Sequence, residues 1–279
     1  MLRAGLFALA LLAAAPPEAH AQAGADLVSR SELRVCSDPS DLPFSDQKGE
    51  GFENRIVDLL AQDLHLPMRY TWYPNSVGFL RNTLLALKCD VVAGTVSGAP
   101  MMLTTSPYYR TGYMIVTRSA DHIAAHSLAD PAFRGKRIGL VAGTPPGDLV
   151  VRHGLMAQVR PYELNVDTRI ESPPHQMLLD LVAGRIDVAL LWGPIAGFYI
   201  HRDALPLDTA FLQPEAGAAP VDYAIAMGVR GADAAWRNAL EAALARHQPE
   251  ITHLLQSFGV PLLDAQNQPL ESVSAPLKR

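Results

Sequence analysis

Sulfur is scarce in this chain: Cys36 and Cys89 are its only cysteines. Two cysteines so placed are too few for a structural zinc site, which takes four ligands. A basic excess is also missing. The 23 Lys and Arg stand against 28 Asp and Glu, for a formal charge of -5, and no basic cluster breaks the balance. Phosphate backbones and anionic membrane surfaces need a basic footprint, so nucleic-acid and membrane-surface partners are excluded as first readings. No Gly-x-Ser-x-Gly turn and no phosphate-binding loop is present. Charged residues make up only 18% of the chain and hydrophobic ones 49%, which excludes wholesale disorder and leaves ample material for a core.

The N-terminus is the most readable segment. Arg3 supplies a positive start, 6–15 is an apolar run of Leu and Ala, and Pro16 and Pro17 break it. Ala19-His20-Ala21 then offers a small-x-small cleavage site. This is the layout of a secretory signal peptide over 1–21, and it predicts export to the periplasm. The apolar run falls well short of the roughly 20 residues that span a bilayer. In an oxidising compartment Cys36 and Cys89 can pair, or they can sit as two small buried hydrophobes. Both fall in predicted strands, and at different heights along neighbouring strands they would be out of disulfide reach, so the residues leave both readings open.

Apolar spacing gives the organisation. Residues 33–37 read as a strand, 52–64 as a helix, 68–73 as a strand, 80–87 as a helix and 89–94 as a buried strand. This β-α-β-α-β order argues for a parallel sheet covered by helices. A second set follows: strands at 113–117, 137–141 and 186–191, helices from about 148 and over 176–183, with Gly184 as a stop. A strand at 223–229 returns to the first set, and 236–245 and 251–258 read as closing helices. The expected fold class is α/β with two lobes and a cleft between them. Lobe 1 takes 30–112 and 222–263, lobe 2 takes 113–221, and 264–279 is a polar, loose tail.

Four stretches resemble the smaller extracellular solute-binding proteins, the group that includes amino-acid receptors. They are Gly51-Phe52-Glu53, the run 89–95, Ser106-Pro107-Tyr108-Tyr109 and the run 139–144. A narrower resemblance is to the MxaJ and XoxJ proteins. It is carried by 34–39, 42–45, 49–54, 70–74, 79–84, 88–92 and 104–110. That resemblance implies a type II periplasmic-binding-protein fold. It also implies a place beside a PQQ-dependent quinoprotein methanol or alcohol dehydrogenase, in its maturation or activation, with no cofactor of the chain's own.

In such a fold the ligand lies at the carboxyl ends of the strands, between the lobes. The loops there are 38–44, 72–79, 94–101, 143–147 and 192–194. They supply the cleft candidates Asp38, Phe44, Trp72, Thr95, Ser97, Thr144 and Trp192; Tyr108 joins them as an aromatic candidate, against the reading that Tyr108 and Tyr109 pack at the hinge as core. Amino-acid receptors of the resembled fold clamp the ligand carboxylate with an Arg after the Gly-x-Thr-type loop, but 94–100 contains none. A guanidinium fork has no substitute among those side chains. They pin the amine with an Asp where this chain has Trp192-Gly193-Pro194. Pro145 and Pro146 remove two backbone donors that an anion would need. A free amino acid is therefore a poor ligand, and the aromatic groups that stand in place of the clamps suit an apolar group or a protein interface.

Two other readings compete. One is the solute receptor of an ABC transporter, closing its lobes on a small non-amino-acid molecule. The other is a cleft dehydratase using Asp38, Asp41 or Asp148 as general acid, against which those aspartates read as turn formers. No nucleophile and no metal site is assigned. His122 and His126 read as an exposed pair one helical turn apart, the acidic stretch of Asp38, Asp41, Asp46, Glu50 and Glu53 as a solvated loop, and Glu53 as a charge facing a helix N-terminus.

Overall fold

A computed structural model describes residues 27–164, 166–170 and 172–270. The 1–21 signal-peptide reading and the end of the tail fall outside them.

The first half runs β1 (Leu33–Ser37), β2 (Ser40–Asp41), β3 (Ser45–Asp46), α1 (Phe52–Leu64), β4 (Met68–Trp72), α2 (Phe79–Asn82), β5 (Val91–Val96), β6 (Leu103–Thr104) and β7 (Tyr109–Arg118). The second runs β8 (Ile138–Val141), α3 (Pro146–Arg152), β9 (Val159–Tyr162), α4 (Pro173–Val182), β10 (Val188–Trp192), α5 (Gly193–Arg202) and β11 (Leu207–Phe211). β12 (Asp222–Val229), α6 (Ala234–Arg246) and α7 (Gln248–Ser257) close the chain's described part.

One continuous sheet has the order β4-β1-β5-β12-β7-β10-β8-β9. β1 is parallel to β4 and β5, and β8 is parallel to β10 and β9. Helices bury both faces of such strands, which is why β5 begins Val91-Val92-Ala93, all buried. β7 joins the two halves. Its residues Tyr109 to Gly112 pair with β12, and Tyr113 onward pair with β10 and β11. A side chain cannot fit where the partners change: a Cβ on Gly193 would lie 2.5 Å from the Gly112 carbonyl oxygen. The result is the two-lobed α/β fold, with the lobes meeting along β7 and β12.

Lobe 1 packs Phe52, Ile56 and Leu60 of α1 against Leu33, Val91 and Met227. These helix residues recur at the period of one face. Asn54 starts the helix by accepting the Gly51 and Asp46 N–H groups at 3.2 and 2.9 Å. Lobe 2 has cores on both sheet faces, one around Met177, Leu181 and Ile186, the other around Phe133, Ile138 and Leu149.

Several boundaries differ from the sequence reading. The helix expected over 80–87 is a single turn, Phe79–Asn82. The Thr83 hydroxyl donates to the Phe79 carbonyl at 2.6 Å, and Leu87 adopts φ 58°, so the apolar spacing there is that of a turn. α3 and α4 begin earlier than expected, each with Pro at the start, where its missing N–H costs nothing. β9 and β11 were not foreseen: Pro161 disguises one, and the other is half exposed. The stretch 264–270 is not loose. Leu263 bridges Pro269, and Arg110 Nε donates to Asn267 Oδ1 at 2.9 Å. His122 follows a short 3-10 turn in a left-handed conformation, so it does not share a helix face with His126.

Candidate functional site

The lobe 1 wall of the cleft holds a cavity of about 530 Å³. Its lining comes from the ends of β1 and β5 and the loops that follow, with Trp192 closing it from β10. Asp38 follows β1 and is buried; its carboxylate accepts Ser40 N–H at 2.8 Å and Asn75 N–H at 2.5 Å. Asp41 sits in the turn that Phe44 N–H closes onto the Asp41 carbonyl at 2.8 Å. Glu53 projects from the first turn of α1 and lies over Gly94, whose missing Cβ makes the room for it. Phe44, Phe79, Met102 and Tyr109 supply the apolar lining.

These carboxyls carry the site's electrostatics. Burial, and then the neighbouring Asp38, push the Asp41 carboxyl up to about 7, against a partial offset from Asn75. Burial, and then Asp41, push Glu53 up to about 8. Protein surrounds Glu53 closely enough to strip its hydration, while part of its surface stays open to the cavity. The Tyr108 and Tyr109 hydroxyls are raised by the same burial and by Glu53. The expected charge at the start of α1 is thus corrected: Glu53 is in the first turn, but desolvation outweighs the helix dipole. The solvated-loop reading of the acidic stretch is corrected too, since Asp38 and Asp46 are buried.

Across Trp192 lies a second pocket, of about 400 Å³, in the lobe 2 wall. Val141, Leu164, Leu191, Ile195 and Tyr223 line it, and Val96 and Trp192 line both pockets. Trp192 is fixed between the Tyr113 and Tyr223 rings, at 5.1 and 5.7 Å. The loops between the lobes also touch: Ser40 Oγ donates to the Thr168 carbonyl at 3.2 Å, and Leu42 packs on the lobe 2 core.

The sequence candidates divide accordingly. Asp38, Phe44, Thr95 and Trp192 line the larger pocket, and Thr144 and Trp192 the smaller. Trp72, Ser97 and Tyr108 line neither. Trp72 stacks on Tyr70 at 4.4 Å, along the edge strand β4. Ser97 N–H is taken by the Ala224 carbonyl at 2.8 Å. Tyr108 is buried and donates its hydroxyl to the Ala93 carbonyl at 2.9 Å, so its neighbour Tyr109 is the one at the cavity. Asp148 is also away from both pockets, accepting Ala219 N–H at 2.9 Å. Glu53, Met102 and Val96 were missed. Only the proximity of Gly94 to the start of α1 marks Glu53, and that is a tertiary fact.

Cys36 and Cys89 form a disulfide, with Cα atoms 5.5 Å apart. Cys89 precedes β5 rather than lying within it, so the bond runs to the segment before the strand, and within the strand register Cys36 sits beside Val92. No anion cradle appears in the 143–147 loop. Its Thr144, Gly147 and Asp148 amides are spent on the Val141, Thr144 and Pro145 carbonyls. No helix among the described residues is long and apolar enough to cross a membrane.

With the site in place, comparison with known proteins is informative. No protein-family model matches the chain. The solved periplasmic binding protein XoxJ from Methylobacterium extorquens AM1 is 34% identical, and the match covers 83% of this chain and 99% of that one, with a TM-score of 0.71. The chain belongs to the MxaJ/XoxJ family of periplasmic binding proteins. Protein MoxJ of Methylorubrum extorquens is 29% identical over 251 residues, covering 84% of this chain and 83% of MoxJ. MxaJ from Methlophaga aminisulfidivorans has the same fold, with a TM-score of 0.72 at 24% identity, covering 83% of this chain and 100% of MxaJ. Membership in the MxaJ/XoxJ family fits a cleft whose amino-acid clamps are gone.

Proposed function

We propose that this chain is a non-enzymatic periplasmic accessory protein of a PQQ-dependent methanol or alcohol dehydrogenase, and that its cleft grips a segment of the immature enzyme. The carrying observation is the mouth of the cleft. Met101 and Val96 on the lobe 1 side and Leu164 on the lobe 2 side line the two pockets and are 68%, 42% and 55% exposed. Val77, between the pocket-lining Ser76 and Gly78, is 95% exposed. Large apolar side chains left in water around a concave site mark an interaction surface. The two places where the resembled receptors carry their clamping Arg and Asp, the 94–101 loop and 192–194, hold neither here. The signal-peptide reading of 1–21 and membership in a family of periplasmic binding proteins agree on the compartment.

A strain lacking the protein is expected to lose dehydrogenase activity, and the tagged protein to retain the dehydrogenase from periplasmic extract. Normal activity in the deletion strain sinks this reading. The solute-receptor alternative rests on the two pockets. It requires a small molecule that raises the melting temperature by mass action, and a broad metabolite screen without a shift removes it.

A further inference from the structure

The Glu53 carboxyl has no hydrogen bond or ion pair among the described residues, although protein encloses it and Asp41 and Asp38 lie nearby. The other charged group lining this cavity is Arg81, which is exposed and makes no ion pair among the described residues. A buried carboxylate without a partner is costly, and a charge-assisted hydrogen bond from a cation is what relieves it. Without one, Glu53 avoids that cost by holding its proton up to about 8, and a cation is the guest that lets it ionise. Beside the carboxyls, Phe44, Phe79 and Met102 present an apolar wall suited to a methylene chain.

A cation without an α-carboxylate fits best, because the receptors' carboxylate clamps are not rebuilt and the one basic side chain lining the cavity, Arg81, is exposed. The 94–101 loop has no Arg, and the Thr144 and Gly147 amides of the 143–147 loop are already spent. A residue inside a polypeptide has its carboxyl tied up as an amide, so it meets this condition, and a free amino acid does not. We propose that the cavity takes a lysine or arginine side chain from an extended segment of the partner protein, its cationic head against Glu53 and Asp41, while an apolar neighbour enters the lobe 2 pocket across Trp192. This deepens the accessory reading and rests on it.

Calorimetric titration with blocked peptides tests it. The probes are acetyl-Ala-Leu-Lys-Leu-Ala-amide, its arginine counterpart, the same lysine peptide acetylated on the side chain, and n-butylammonium as a free cation. The basic peptides are expected to bind about tenfold or more tightly than the acetylated one. That preference should vanish in Glu53→Gln, with the circular dichroism unchanged. Binding near pH 7.5 should also release protons to the buffer, because the cation lowers the raised carboxyls, and Glu53→Gln should release fewer. The titratable groups facing Glu53 are Asp41, raised like it and sharing in that release, and the Tyr109 hydroxyl, raised too far to give up its proton there, with Asp38 beside Asp41. Equal binding of the acetylated peptide, no binding of any peptide at millimolar concentration, or n-butylammonium binding as tightly as the peptides overturns the proposal. The accessory reading fails on a different result, normal dehydrogenase activity in the deletion strain, whichever way the peptides bind.

Discussion

The two walls of the cleft are built on the same plan and finished in opposite ways. In lobe 1 the loop after β1 and the first turn of α1 carry Asp38, Asp41 and Glu53 into a pocket. In lobe 2 the equivalent ends carry Val141, Leu191 and Trp192. Scaffold and site are therefore separable: parallel strands fix where loops converge, and the loop residues decide what they meet. The internal braces differ too. Lobe 1 ties Asp90 to Arg34 and Arg230 at 2.7 and 2.6 Å, beside the Cys36–Cys89 bond. Lobe 2 ties Asp180 to Tyr162 at 2.6 Å and to Gln176 at 2.8 Å, with Arg160 and Arg185 reaching in from solvent. Burial alone would raise both aspartates, and their donors outweigh it and hold each below the usual carboxylate range.

The largest effect should separate these two braces. Asp90→Ala takes from the buried Arg230 guanidinium one of its two carboxylates, leaving Asp233, and removes the partner of Arg34, and should cost about 3 kcal/mol in denaturant unfolding. Asp180→Ala frees Arg160 and Arg185 to turn to water, since they are 48% and 50% exposed, and should cost ~1–3 kcal/mol for the orphaned Tyr162 and Gln176 donors. Equal costs would break the comparison. Next, Cys36→Ser with Cys89→Ser opens a cross-link spanning 53 residues and should cost about 2–4 kcal/mol, read as a lower melting temperature that reductant no longer changes.

A smaller effect depends on pH. The folded chain keeps protons on Asp41 and Glu53 up to about 7 and 8, while the unfolded chain gives them up at the ordinary carboxylate values. Their contribution to stability is therefore full at low pH and is lost as pH rises through those folded values. Glu53→Gln should raise stability by roughly 2 kcal/mol at pH 9 and change little at pH 4. A parallel shift at both values would mean that Glu53 is solvated. The smallest effect on stability belongs to Gly94→Ala. Its Cβ would overlap the Glu53 carboxylate, a flexible end that can swing aside, so the cost should stay near 1 kcal/mol. The pH dependence, though, should flatten as Glu53 moves into water.

Periodicity made the lobes legible, because helix and buried-strand patterns alternate through most of the chain. It failed over 80–87, where leucines at helical spacing belong to a turn, and at β9, where Pro161 reads as a breaker. The site was half legible. Asp38, Phe44, Thr144 and Trp192 sit where loops follow strands, and chain order alone gives that. Glu53 was misread because its pKa is set by what Gly94 and the 38–44 loop place around it. Trp72 stays on the edge strand because a strand residue's direction depends on register, and Tyr108, just before β7, takes the buried packing position that is its alternative reading. Asp41, taken for a turn former, is one, and it also faces the cavity.

Site-specific photo-crosslinking in the periplasm tests the central claim most directly. A photoreactive residue placed at Val96, which lines both pockets, should join the protein to the dehydrogenase, and one placed at the exposed Asn238 on α6 should not. Dehydrogenase adducts from Asn238 with none from Val96 would contradict the account.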